Sequence, residues 1–227
     1  MNRTAVLIVL VVLLTCGVAL AGETITAQEF AAYEDLVKGN SVKMVRQTKE
    51  GNIASCDLEY QYTYRDFKAK KGAPVVVQGA FAFVYNKGKN PALIFKLVPT
   101  VSDFSAKKLT TVTPEYADVF VGGKSMKQFR YADFACEGGG KCMFYSDKDG
   151  AMMKLLFDTT PLDIEIKFSL SKGGIDNSFT LSSLLPKDPS DKYINRALDD
   201  MTLDFMNCNV EIGKRVISDI EEMTKKK

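Results

Sequence analysis

The sequence of 227 residues contains no histidine. Without histidine, the chain cannot build a serine-histidine-aspartate triad, a cysteine-histidine pair or most zinc and copper sites. Its charges are nearly balanced as well, with 30 lysines and arginines against 28 aspartates and glutamates. Such a balance gives no electrostatic reason to bind nucleic acid. These absences exclude histidine-dependent hydrolytic sites and most zinc and copper sites, and they argue against a nucleic-acid partner.

The N-terminus has the features of an export signal. Arg3 supplies a positive charge, residues 5–14 form an apolar run, and small residues lead to Ala21. This arrangement predicts a signal peptide over residues 1–21 that is cleaved after its last residue. Membrane contact is then limited to the signal before cleavage.

Two alternatives to cleavage remain open. The apolar stretch from residue 5 to residue 21 is 17 residues long, which reaches the lower limit of roughly 17 residues for a membrane-spanning helix. Cys16 could instead become the lipid-modified first residue of a lipoprotein. We favour cleavage, which predicts a periplasmic or secreted protein with 29 basic and 28 acidic residues after Arg3 is removed.

Four cysteines remain after cleavage: Cys56, Cys136, Cys142 and Cys208. An even number of cysteines in an exported protein predicts disulfides, and two close-set pairs that would suit zinc are absent. Cys136 and Cys142 flank a glycine-rich stretch that lets the backbone fold back, so we pair them with each other. The remaining bond then joins Cys56 to Cys208.

From residue 41 onward the apolar pattern has a period of two, which is typical of β-strands. The clearest strand covers residues 56–64. Further strands are predicted at 75–85, 92–98, 117–121, 127–135, 142–145, 151–157, 162–170 and 178–184. Short strands without intervening helices predict an antiparallel β-sandwich, of immunoglobulin-like or jelly-roll type, over residues 41–186.

Helices are predicted at both ends of this domain. A capping pattern that starts at Thr26 predicts a short helical segment within residues 22–40. Residues 187–227 predict an amphipathic C-terminal helix that packs on the sandwich. Its apolar stripe contains Ile194, Leu198, Met201, Phe205, Cys208 and Ile212. Because Cys208 lies in this stripe, its bond to Cys56 would attach the helix to the inward face of a strand.

Tyr60, Tyr62 and Tyr64 share one face of the clearest strand with Cys56. Tyrosine combines a stacking ring with a hydroxyl group, so the three side chains form a weak candidate for a ligand-binding platform. The competing interpretation places them in the core, with their hydroxyls at its rim. We favour the core.

Three motifs resemble catalytic or ion-binding sequences but are incomplete. Ser105 and Lys108 have the spacing of a lysine-activated serine, yet the companion motifs are missing. Residues 122–125 lack the upstream glycine of a phosphate-binding loop, and residues 147–150 lack the later glutamate of a calcium loop. We therefore predict turns at the last two places, and no catalytic residue, metal or cofactor.

A combination of short segments resembles a known family. Residues 129–131 lead to Cys136, a glycine-rich link and Cys142, and the strands at 164–168 and 179–184 follow. Over residues 41–185 this order resembles the invasion-associated locus B family of exported bacterial proteins. The chain departs from that family in lacking a tryptophan before the first cysteine and in adding the terminal helix.

The resemblance implies a periplasmic or surface-located β-sandwich with a role in host-cell entry or in the envelope, and no catalytic residues carry over. Together with the export signal, it predicts a non-enzymatic protein that binds a protein partner in the envelope or on the host surface. A periplasmic carrier of a lipid or sugar is the alternative. A hydrolase that uses Ser105 and Lys108 ranks third.

Overall fold

The computed structural model describes residues 31, 39–87, 89–103, 106–129, 131–136, 138–146, 150–158, 163–185 and 192–225. The predicted signal peptide, nearly all of the predicted N-terminal helix and Ser105 lie outside these residues. None of the helices in the described part of the chain combines the length and the apolar character that crossing a bilayer requires.

The described elements are mainly strands. In chain order they are β1 (Ser41–Lys49), β2 (Asn52–Asp66), β3 (Ala73–Val84), β4 (Ala92–Asp103), β5 (Lys108–Thr111), β6 (Tyr116–Val121), β7 (Lys124–Ser125), β8 (Tyr131–Ala135), β9 (Lys141–Ser146), helix α1 (Ala151–Phe157), β10 (Glu165–Ser169), β11 (Asn177–Thr180) and helix α2 (Lys192–Lys225).

The strands form two antiparallel sheets. The large sheet has the order β1-β2-β3-β4-β9-β8, with β5 paired to β4, and the small sheet has the order β11-β10-β6-β7. The consecutive strands β1 to β4 pair as antiparallel neighbours joined by turns. Strands that alternate apolar and polar residues and are linked by short polar segments are expected to pair in this way. The predicted fold class, mainly antiparallel β with a C-terminal helix, is confirmed.

One face of the large sheet supplies the core. This inner face carries Leu58, Phe81 and Phe95, which align across three strands and are fully buried. The small sheet packs over one end of the inner face, where Tyr62 stacks on Phe179 with ring centroids 4.5 Å apart. The apolar side chains of both sheets therefore share one cluster, as two packed layers require.

Helix α2 packs over the other end of the inner face. Phe205, Cys208 and Ile212 are fully buried, because their spacing of three and four residues places them on one side of the helix. Arg215 Nη1 donates a hydrogen bond to the Ile53 carbonyl over 2.9 Å. Tyr85 donates its hydroxyl proton to Asp219 over 2.9 Å. The helix is thus held by packing, by polar contacts and by the Cys208 disulfide.

The prediction of a strand over residues 151–157 is wrong, because this segment forms helix α1. Alanine, methionine, leucine and lysine favour helix, and a short apolar run does not distinguish the two structures by its pattern. Met152 and Leu156 are buried four residues apart, which is helical spacing.

The predicted strand at 162–170 is limited to β10, and two other predicted strands are partly replaced by 3-10 helices. The segment at 178–184 is extended only to Thr180, after which Leu181–Leu184 form a 3-10 helix whose Ser183 N–H bonds to the Thr180 hydroxyl. The segment at 127–135 begins within the 3-10 helix Met126–Gln128, and its strand is β8. In both segments a hydroxyl cap favours a turn of helix over extended backbone.

Candidate functional site

Both disulfides that the sequence predicts are present. Cys56 and Cys208 are bonded with Cα atoms 5.9 Å apart, and Cys136 and Cys142 with Cα atoms 5.2 Å apart. The second bond closes a link whose Gly138, Gly139 and Gly140 all have positive φ angles. Because such bonds persist outside the reducing cytosol, the folded chain belongs in an oxidising compartment.

The three tyrosines of β2 lie in and beside the core. Tyr60 is buried and donates its hydroxyl proton to the Lys96 carbonyl over 2.7 Å. Tyr62 stacks on Tyr64, and Tyr64 meets Phe168 edge to face. Burial raises the pKa of Tyr60 well above its ordinary value. The rings are engaged in packing contacts, and their weaker interpretation as a ligand platform stays a prediction.

The other candidate motifs do not converge on one site. Lys108 is the first residue of β5, opposite Asp103 of β4. Gly122 and Gly123 form the tight turn between β6 and β7, with positive φ angles that glycine adopts readily. Residues 147–149 lie outside the described residues. Among the residues with described positions, no group of acidic or cysteine side chains is arranged to hold a metal ion.

The outer face of the large sheet carries an apolar row across all six of its main strands. Strand register aligns one residue from each strand on this face: Val45, Asp57, Ala82, Ile94, Phe144 and Ala132. The row is apolar except for Asp57. Phe144 and Ala132 of this row are exposed, whereas Asp57 and Ala82 are buried, so the exposed apolar part of the outer face lies at its β8 side.

The two edges of the large sheet differ in chemistry. The β1 edge is charged, with an ion pair between Lys43 and Glu59 at 2.7 Å, and Arg46 lies 3.5 Å from Glu211 of α2. Charged side chains and covering helices protect sheet edges from pairing with other chains. The β8 edge instead carries Phe134, which is 52% exposed.

Phe134 and Phe144 lie on the outer face of neighbouring strands, with Ala132 and Ile94 beside them. We call these four residues the aromatic edge. Phe144 is 37% exposed. A shallow depression of about 310 Å³ adjoins it and is lined by Val84, Asn86, Lys89, Asn90, Ala92, Ile94, Phe144 and Ser146. The aromatic edge thus combines exposed rings, a depression and a strand that, among the described residues, pairs on one side only.

Covalent and ionic contacts hold the aromatic edge in place. Phe134 is paired with Cys142, so the Cys136 disulfide fixes the end of β8 beside this ring. Lys141 Nζ lies 2.8 Å from Asp133 Oδ2. The hydrogen bond from Lys141, with its positive charge, lowers the pKa of Asp133. A short edge strand is therefore kept in a fixed position, which reduces the entropy lost on binding.

Asp57 is a buried carboxyl group in the apolar row. Burial raises its pKa, while hydrogen bonds from Ser55 and Gln47 partly oppose this effect. Gln47 Nε2 donates to Oδ2, and Oδ1 has no partner in the described residues. An ionised carboxylate at this position therefore lacks part of the solvation that it has in the unfolded chain.

We expect Asp57→Asn to stabilise the fold at neutral pH. A raised pKa means that the folded state binds the proton more tightly, so stability falls as pH rises above the ordinary value of 3.8. The asparagine side chain does not ionise, so the variant does not lose stability in this way. Its gain in the free energy of unfolding over wild type should shrink as the pH falls toward 3.8. Urea unfolding at several pH values measures the difference. Asp133→Asn is the control and should lower the free energy of unfolding at neutral pH, because Lys141 stabilises the Asp133 carboxylate in the folded state. If both variants changed the free energy of unfolding equally, burial of Asp57 would not be the cause of the effect.

Neither Phe134 nor Phe144 is among the site residues that the sequence predicts. A signal is visible in β9, where Cys142, Met143, Phe144 and Tyr145 are apolar in both phases of the strand. Such a strand has an apolar side chain on each face, and only one face meets the core. Which face remains exposed depends on the sheet order, which the pattern does not contain.

The fold and the aromatic edge define the class of this protein, a disulfide-stabilised antiparallel β-protein with two layers and a terminal helix. Comparison with protein-family models, curated proteins and solved structures found no match to the chain.

Proposed function

We propose that this chain is an exported, non-enzymatic protein that binds a protein partner through the aromatic edge. The observation that carries this proposal is the pair of exposed rings, Phe134 and Phe144, beside a strand that pairs on one side only. Aromatic side chains are common anchors of protein interfaces. The lack of histidine in the sequence supports a binding role over catalysis.

The partner would add an extended segment to β8. Main-chain hydrogen bonds to an edge strand give affinity, and alternate side chains of the added strand give specificity. Apolar side chains of that segment would contact Phe134 and the neighbouring Ala132, while Phe144 anchors the interface farther into the sheet. The charged β1 edge discourages the same mode of binding on the opposite side.

Export and the sequence resemblance support a partner in the envelope or on a host surface. The predicted signal peptide and the two disulfides fit a periplasmic or secreted protein. The span that resembles the invasion-associated locus B family, residues 41–185, contains β8 and β9, which supply both phenylalanines of the aromatic edge. A role in host-cell entry or envelope function therefore belongs to the same proposal.

The double variant Phe134→Ser, Phe144→Ser should lose partner binding. Two anchors at an interface contribute about 2 kcal/mol or more each, so affinity should fall by roughly 1,000-fold or more. The mature protein is used as bait in envelope and host-surface extracts. A captured protein is then purified, and its binding to wild type and variant is titrated by isothermal calorimetry.

Phe67→Ser is the matched control. Phe67 is 75% exposed in the turn after β2, so its replacement removes an even more accessible ring away from the aromatic edge. It should leave affinity within about twofold, as a surface residue outside an interface does. Equal losses in both variants, or saturable binding that the double variant retains, would overturn the proposed surface.

A further inference from the structure

Helix α2 carries a second apolar stripe beside the one that packs on the sheet. Its members follow one another at spacings of three and four residues: Leu203, Met206, Val210, Gly213, Ile217 and Ile220. We call these six residues the helix seam. Leu203 is 57% exposed, Ile217 60% and Ile220 53%. Among the described side chains of this helix, the fully buried apolar ones are Phe205, Cys208 and Ile212, and none of them belongs to the helix seam.

Alternate spacings of three and four residues are typical of helices that pair with another helix. They keep one apolar line facing a partner over successive turns. A face that only meets water has no need for them, and an ordinary exposed helical face is polar. The exposed apolar residues of the helix seam therefore form a face onto which a second helix could pack.

We propose that the helix seam binds the helix seam of a second copy of this chain in antiparallel orientation. Pairing the copies about a two-fold axis between Val210 and Gly213 brings each bulky residue opposite a suitable neighbour. Val210 then faces Gly213 of the second copy, where a Cβ atom would meet nothing within 4 Å in the single chain. Met206 faces Ile217 and Leu203 faces Ile220 in the same register.

Size complementarity favours the antiparallel arrangement over the parallel one. A parallel pair sets each residue against itself, so Gly213 would face Gly213 and leave a gap in the middle of the interface. In the antiparallel pair every small position meets a larger one. A gap in an interface removes van der Waals contacts that packed side chains would make. We therefore assign the antiparallel register.

The seam is short, so the dimer should be weak. Residues 203 to 220 span about 27 Å of helix, and a standard stable interface buries about 800 Å² on each partner.

This dimer goes beyond the proposed partner binding. The aromatic edge lies on the outer face at the β8 side of the large sheet, whereas α2 contacts β1 and β2 on the inner face. Two copies joined by their helices therefore keep both aromatic edges free. Such a dimer would bind a multivalent partner with greater avidity than one copy.

Sedimentation velocity of the mature protein over a concentration series tests the association. Wild type should shift from monomer to dimer with a dissociation constant on the order of 10 μM. Ile217→Glu should raise this dissociation constant by about 100-fold or more, because the variant places a charge in the apolar seam. Ser218→Glu adds the same charge at an exposed position off the seam and should change it by less than about threefold. A wild type that stays monomeric throughout, or two variants that shift equally, would overturn the proposal.

Cysteine cross-linking tests the register independently. A mixture of Leu203→Cys protein with Ile220→Cys protein should form a mixed covalent dimer under mild oxidation, because these positions face each other across the pair. Each variant alone should form far less covalent dimer. Rapid cross-linking of Leu203→Cys with itself would instead indicate parallel helices and overturn the assigned register. Far-ultraviolet circular dichroism checks that every variant keeps its fold.

Discussion

Replacing Cys56 and Cys208 together by alanine is expected to lower the free energy of unfolding by about 5 kcal/mol. The bond closes a loop with a sequence separation of 152 residues, so its loss frees a large part of the unfolded chain. Both sulfur atoms are fully buried between β2 and α2, and their removal also leaves a small cavity. For a domain of this size, the expected fall in melting temperature is on the order of 10 to 20 °C.

The second disulfide provides a matched control for this effect. Cys136 and Cys142 have a sequence separation of only 6, and the same chain-entropy model gives about 2 kcal/mol for the corresponding double alanine variant. Urea unfolding of both variants, with circular dichroism as the signal, compares them directly. If the short-loop variant lost as much stability as the long-loop variant, loop entropy would not be the main contribution of the Cys56 bond.

The elements that the sequence predicted best are long and strongly periodic. In β2, Cys56, Leu58 and Tyr60 alternate with polar residues, and all three are buried on the inner face. In α2, the stripe through Phe205 and Cys208 is the stripe that meets the sheet. When apolar residues repeat over several helical turns or along a long strand, the pattern fits only one period, either that of a helix or that of a strand. The type of secondary structure and its buried side both follow from that period.

Short apolar segments were harder to predict because local pattern and tertiary context compete. Residues 151–157 are apolar at most positions, and the burial of Met152 and Leu156 in the finished fold favours a helix there. β5 has only four residues, and its pairing with β4 gives it extended structure. In these segments, partners far away in sequence determine the conformation.

The candidate site depends on topology more than on local sequence. Phe134 and Phe144 become neighbours because β8 and β9 pair, and Ile94 joins them because β9 pairs with β4. The pattern of β9 indicated two apolar faces, but the order of strands decides which face the core covers. The helix seam was visible in part, because Ile217 and Ile220 continue an apolar edge beyond Gly213.

Gly79→Ala is expected to destabilise the fold by about 3 kcal/mol or more. Gly79 lies in β3 opposite Tyr60 of β2 and Leu97 of β4, at the centre of the inner face. A Cβ atom there would overlap the Lys96 carbonyl oxygen and the Tyr60 hydroxyl group. These two groups are hydrogen-bonded to each other over 2.7 Å. The methyl group cannot be accommodated by rotating one side chain, because the overlapping carbonyl belongs to the backbone of the neighbouring strand.

Gly39→Ala is the control for this effect, since a Cβ atom at Gly39 would meet nothing within 4 Å. Its free energy of unfolding should stay within about 0.5 kcal/mol of wild type, as for most surface substitutions. Thermal and urea unfolding of both variants measure the difference. If Gly79→Ala were as stable as Gly39→Ala, the close approach of Tyr60 to β3 would not be a constraint on the fold. A folded but weakened variant should also lose protection from hydrogen exchange first around Tyr60 and Lys96, because the strained contact lies between their strands.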